Sequence, residues 1–137
     1  MRFVPYSLCE KDDAGNPVGF LPQAFELKVK DGKLEEYLSA AWVEYFDADD
    51  RDGQINATIV AFKTQPRPRV GAKARFAVGL VGHIRSACKQ YNQTVRISHE
   101  PEPDFESHAS VRQFSSASLE LLDLLARNAW SEMHFPV

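Results

Sequence analysis

The sequence predicts an α+β protein, a single domain over residues 1–137 in which a small mixed sheet packs against two main helices. Three patterns lead to that class. Leu34, Tyr37, Leu38, Ala41, Trp42, Tyr45 and Phe46 recur at the i, i+3, i+4, i+7 spacing of one helical face. Phe25, Leu27 and Val29 alternate with Glu26, Lys28 and Lys30, and Val95 and Ile97 alternate with Thr94, Arg96 and Ser98, the two-residue period of half-buried strands. Near the end, Leu119, Leu121, Leu122, Leu124, Leu125, Ala126, Ala129 and Trp130 form the broad stripe of a largely covered helix.

Taken in chain order, Arg2–Leu8 is a short first strand in which Pro5 favours a place at a sheet edge. Glu10–Pro22 collects Gly15, Asn16, Pro17, Gly19 and Pro22 and is expected to be a surface loop. The strand over Ala24–Lys30 turns at Asp31 and Gly32 into a helix over Leu34–Phe46, and Asp31, Glu35 and Glu36 sit where the helix dipole favours negative charge. That helix is the expected inner wall of the domain, because Tyr37, Trp42, Tyr45 and Phe46 on one face bury more apolar area than any comparable window. The acidic run DADDRDG follows it, and then Ile55–Phe62, whose β-branched Thr58, Ile59 and Val60 favour a strand over a helix.

Lys63–Arg75 carries Lys63, Arg67, Arg69, Lys73 and Arg75 without one acid, and its Pro66, Pro68 and Gly71 make it a loop or ribbon. Phe76–Val81 suits a strand buried on both faces, and His83, Ile84, Ala87 and Cys88 suggest a helix ending near Tyr91. Thr94–His99 is the next strand, parallel to the preceding one if the two are neighbours. EPEPDFE leaves the sheet, His108–Arg112 resumes it, and Ser115 or Ser116 caps the final helix.

A chain of 137 residues with 44% hydrophobic and 26% charged residues has the means to bury one core and lies far from the composition of disorder. The formal net charge of -3 speaks against nucleic-acid binding through the overall field and leaves local basic patches open. Cys9 and Cys88 lack the dense spacing of a disulfide framework and read as reduced thiols. No apolar h-region opens the chain and no window of about 20 apolar residues occurs. A cytoplasmic protein without a membrane span is the resulting expectation.

Three segments invite a chemical reading. In DADDRDGQI, Gly53 as the sixth position of a calcium loop puts Asp50 and Asp52 at positions three and five, but Ala48 and Ile59 stand at positions one and twelve, so the bidentate glutamate is missing. The alternative is a solvated acidic loop, and no metal or other cofactor is expected. HEPEPDFESH sets His99 and His108 among carboxylates, and with Arg112 they are the candidate catalytic residues, as an acid and base pair or a metal site, although the spacing fits no zinc pattern such as HExxH. The favoured competing reading is a polar connection with a histidine bonded at a strand end. Lys63, Arg67, Arg69, Lys73 and Arg75 are the expected binding residues, for phosphates or, preferably, for opposite charge, either the acids Glu44, Asp47, Asp49, Asp50 and Asp52 of this chain or a partner's surface. No aromatic residue interrupts them to stack on bases, and no GxxxxGK[ST], GxGxxG or GxSxG motif occurs.

The segments AFELK, YLSAAWVEYF and VRISHEPEPDFESHASV together resemble short uncharacterised bacterial proteins found near mobile-element or defence genes. The resemblance spans Ala24 to Val111 and brings no catalytic motif with it. It implies a bacterial accessory protein. The leading expectation is therefore a nonenzymatic protein-interaction module, followed by a small hydrolase or transferase acting on nucleic acid or a nucleotide, and then by direct nucleic-acid binding through residues 63–75.

Overall fold

The computed structural model describes residues 1–136. It is an α+β fold in which every strand pairing among the described residues is antiparallel. β1 (Arg2–Val4) leads through a 3-10 turn at Tyr6–Leu8 into β2 (Cys9–Lys11), which pairs with β3 (Pro17–Phe20). The expected surface loop at Glu10–Pro22 is thus partly a hairpin, whose turn holds Gly15 at φ 82°. The expected strand at Ala24–Lys30 is replaced by a 3-10 turn at Pro22–Phe25 and then by β4 (Val29–Lys30). Pro22 favours that turn, and Ala24 and Phe25 are both buried by it. β4 pairs with β5 (Lys33–Leu34) across Asp31 and Gly32, both at positive φ, as a tight two-residue hairpin requires.

The largest correction concerns Leu34–Phe46. This segment is β6 (Tyr37–Ala41) followed by a 3-10 turn at Val43–Tyr45, and Trp42 is 44% exposed. Over five residues the spacing that suggested a helix also fits a strand: Leu38 and Ala40 are buried while Ser39 is exposed. Pairing along all five residues with the strand at His108–Arg112 overrides the helical reading.

The converse holds for Ile55–Phe62, which lies in α1 (Arg51–Thr64) and not in a strand. Asp50 caps it by accepting from the Gly53 amide at 2.8 Å, and Ile55, Thr58, Ile59 and Phe62 are buried at helical spacing. The acidic positions imagined as a calcium loop form the cap and first turn of this helix.

β7 (Arg75–Val78) is buried along its whole length, and α2 (Val81–Lys89) follows with Ile84, Ala87 and Cys88 inward. β8 (Arg96–His99) and β9 (His108–Arg112) complete the central segment. β7 and β8 lie in separate sheets, so the parallel pairing does not form. α3 (Leu119–Leu124) is capped by Ser118 in place of Ser115 or Ser116, and Ser116 instead accepts from the Leu27 amide at 3.0 Å. The helix widens into a π-helical turn at Leu125–Ala129 before β10 (Glu132–His134).

Two three-stranded sheets result, in the orders β1-β7-β10 and β6-β9-β8. Met1 and Ala41 exchange backbone hydrogen bonds of 2.7 and 2.8 Å, and Arg2 on β1 donates to the Ser39 carbonyl on β6, joining the two sheets. Alternation along β7 sends Phe76 and Val78 toward α1 and Ala77 toward a second core formed with α2, α3 and the Phe25 turn. Most of the stripe expected of the final helix is buried, from Leu121 and Leu122 to Trp130 at 2% exposure, but Leu119, at its first turn, is 58% exposed and lies outside the covered face.

Candidate functional site

The β6-β9-β8 sheet presents two chemically different faces. Its register aligns Leu38 with Val111 and Ile97, and Ala40 with Ala109 and His99; the intervening rows align Tyr37 with Arg112 and Arg96, and Ser39 with Ser110 and Ser98. Successive side chains of a strand point to opposite faces, so the first two rows make an apolar face and the others a polar one. His108, paired with Ala41, belongs to the polar face, and His99 stands on the opposite side. The two histidines therefore do not form one site.

On the polar face, His108 is 3% exposed and held at both ring nitrogens. Nδ1 lies 2.8 Å from the Glu100 carbonyl oxygen, which can only accept, so Nδ1 carries a proton. Nε2 lies 2.8 Å from Ser39 Oγ and 3.1 Å from Glu102 Oε1. Arg112 reaches the same corner indirectly. Its Nε and Nη2 donate to the two carboxylate oxygens of Glu100 at 2.7 and 2.6 Å, and its guanidinium covers the Tyr37 ring at 4.5 Å. Hydrogen bonding to Arg112 holds the Glu100 carboxyl below its usual range. Arg112 is thus a positioning residue for the loop that orients His108.

This face opens on a cleft of about 630 Å³ lined by Lys33, Tyr37, Ser39, Gln65, Arg67, Glu102 and His108, among others. Most of its acids are engaged: Glu35 with Lys30 at 3.1 Å, Glu36 with Arg112 at 3.9 Å, and Glu102 with His108. Lys33 and Arg67 have no acidic partner among the described residues. Glu102 belongs to the carboxylates of HEPEPDFESH, whereas Ser39 escapes sequence reasoning because no motif spacing links it to a histidine 69 positions away. The strand alternation of YLSAA is the signal that would have exposed the serine.

The apolar face ends in a second pocket of about 290 Å³, walled by Ala40, Ala109, Ile97, Val78, Ile84 and Trp130. Trp42, His99, Leu80 and Val81 stand at its mouth. His99 Nε2 lies 2.7 Å from the Glu106 carbonyl oxygen, and the ring sits 5.1 Å from Trp42 and 5.5 Å from Tyr45. Tyr45 donates to the Glu106 carboxylate at 2.7 Å, and that bond raises its pKa. Gly79 closes the floor, since a Cβ there would fall 2.8 Å from the Ala129 carbonyl oxygen and 2.9 Å from the Trp130 ring.

The basic segment is divided in its roles. Arg75 is 9% exposed, stacks at 4.2 Å on Phe135 and donates to the Ala74 carbonyl at 2.8 Å, so it is not available as a surface cation. Lys63 donates to the Pro136 carbonyl at 3.3 Å, and Lys73 lies 5.2 Å over the Tyr6 ring. Arg67 and Arg69 are exposed. The acidic run and the basic run lie at opposite ends of α1, about 20 Å apart at 1.5 Å per residue. Each charge sits at the pole of the helix dipole that favours it, and no ion pair joins the two runs among the described residues.

No group of three or more His, Cys, Asp or Glu residues among those described is placed to hold a metal ion. No family model matches this chain, and neither a curated protein nor a solved structure matches it. No helix among the described residues is long and apolar enough to cross a membrane.

Proposed function

We propose that this protein is a protein-interaction module, and that its docking surface is the Trp42 pocket and the neighbouring edge of β8. The observation that carries the reading is the exposure of large apolar side chains around one apolar cavity: Trp42 at 44%, Tyr45 at 37%, Leu80 at 55% and Val81 at 46%. Aromatic anchors beside a largely apolar pocket are the features that concentrate binding energy at protein interfaces. Other large apolar side chains of the chain are as exposed, Val29 at 67% and Phe135 at 57% among them, but Trp42, Leu80 and Val81 are gathered at one pocket.

The partner's conformation follows from the strand. Among the described residues β8 pairs only with β9, which leaves its other edge unpaired there. The Glu100 amide donates to the His108 carbonyl at 2.9 Å, which fixes Ser98 and Arg96 as the residues bonded toward β9 and leaves the backbone groups of Ile97 and His99 directed outward. An extended segment added there gains main-chain hydrogen bonds while one apolar side chain enters the pocket.

A random-peptide display library panned on the purified protein tests this reading. Selected peptides should carry one apolar anchor, should protect the Ile97 and His99 amides from hydrogen exchange, and should lose at least tenfold in affinity on Trp42→Ala. Peptides that bind Trp42→Ala as well as the parent, or failure to select any, would remove this surface from consideration.

A further inference from the structure

Beyond an interaction role, we propose that the polar face of the same sheet carries a hydrolytic site, with Ser39 as nucleophile and His108 as its general base, acting on carboxylic esters that bear an anionic group. Nδ1 of His108 is committed as a donor to the Glu100 carbonyl, so the neutral ring presents a lone pair at Nε2. Ser39 Oγ stands 2.8 Å from that nitrogen, on an exposed residue facing the cleft, while the imidazole behind it is buried. A nucleophile within hydrogen-bond reach of a base whose far nitrogen is fixed by a third group is the arrangement that covalent catalysis requires. Here a backbone carbonyl, held in place through Arg112 and the Glu100 carboxylate, orients the ring.

Glu102 completes the set. Its carboxylate lies 3.1 Å from Nε2 on a side chain that is 54% exposed. Beside a neutral ring this contact sets two acceptors against each other; beside a protonated ring it is an ion pair. The carboxylate thus favours the imidazolium that forms when Ser39 gives up its proton, a contact stronger in the transition state than before it. In the first step Oγ bonds to the ester carbonyl carbon and its proton moves to Nε2. The carbon to alkoxide bond then breaks, and the leaving oxygen takes that proton. Water attacks the acyl-serine with His108 again as base, releasing the acid and restoring the serine. Lys33 and Arg67, the cleft cations without acidic partners, select an ester with a negative charge.

The test uses the whole chain with a fluorophosphonate probe, which transfers its phosphonyl group to an activated serine with loss of fluoride. Intact and peptide mass spectrometry should find one adduct, on Ser39, formed at least tenfold more slowly in His108→Gln. Release of 4-hydroxybenzoate from 4-acetoxybenzoate should be lost in Ser39→Ala and weakened at least threefold, through KM, in Arg67→Ala. If His108→Gln does not fold, Ser39→Cys serves instead: its new thiol should react with iodoacetamide at least tenfold faster than a free cysteine peptide, against a background of buried Cys9 and Cys88. No adduct on Ser39, an adduct indifferent to His108→Gln in the folded variant, or a thiol in Ser39→Cys no faster than the free peptide would each overturn the assignment.

Discussion

The two tryptophans occupy opposite physical situations. Trp130 is 2% exposed and stacks on Phe25 at a centroid distance of 5.7 Å, in the core shared with Leu121, Leu125 and Val4. Trp42 is 44% exposed and touches Tyr45 and His99 at the rim of a pocket. One indole holds the fold together and the other is free for contact with another molecule. An aromatic-rich window therefore does not by itself mark an inner wall, because the same side chain serves as core filler or as an interface anchor according to what the backbone beside it pairs with.

The strongest way to break this comparison is to truncate the buried ring. Trp130→Ala should lower unfolding stability by about 3 to 5 kcal/mol, the cost of emptying a large aromatic site. Urea denaturation measures it, and a midpoint shift no larger than that of a surface substitution would show that Trp130 is not a core residue.

A smaller effect concerns the strand that follows Trp130. Glu132 receives two bonds of 2.7 Å from Arg51, and chiefly this pairing, helped by His134, lowers its pKa to about 2. A carboxyl depressed in the folded state contributes stability above its unfolded value of 4.5 and loses that contribution as pH falls toward 2. The Glu132 side chain is 40% exposed, so solvent screening limits the effect to below about 1 kcal/mol. Melting temperatures from pH 6 to pH 2 should fall less steeply in Glu132→Gln than in the parent; identical slopes would show that the pairing contributes nothing to folding.

A comparably small change is expected at the other indole. Trp42→Ala should alter stability by no more than about 1 kcal/mol, far less than Trp130→Ala, because its ring packs on the exposed Tyr45 and His99 at the pocket rim. Iodide should quench Trp42 fluorescence readily and leave that of Trp130 nearly untouched. A loss of several kcal/mol on Trp42→Ala would erase the distinction between the two regions.

Much of the local structure was legible. The Asp31-Gly32 turn, α2, β8, β9 and the broad apolar stripe leading to Trp130 all follow from residue types and periods that local physics enforces. The failures at β6 and α1 share one cause. YLSAA and INATIVAF are short windows that fit both a helix and a strand; pairing with a strand distant in sequence decided the first, and a local cap with helical spacing decided the second. Asp50 as an N-cap, with Ile55, Thr58, Ile59 and Phe62 at helical spacing, was a readable signal that the β-branched residues obscured.

The candidate sites divide in the same way. His108 and Arg112 were legible as a polar cluster, but their separation from His99 depends on strand alternation around the β8-β9 loop, and Ser39 enters only because β6 pairs with β9. The sequence by itself determined the α+β class, the apolar C-terminal stripe, the Asp31-Gly32 turn and the segregation of acidic from basic runs, since each of these rests on interactions within a few residues. Only the tertiary structure decided which tryptophan is buried, which histidine meets a serine, and that Arg75 is withdrawn from the basic surface, because each depends on contacts between residues far apart along the chain.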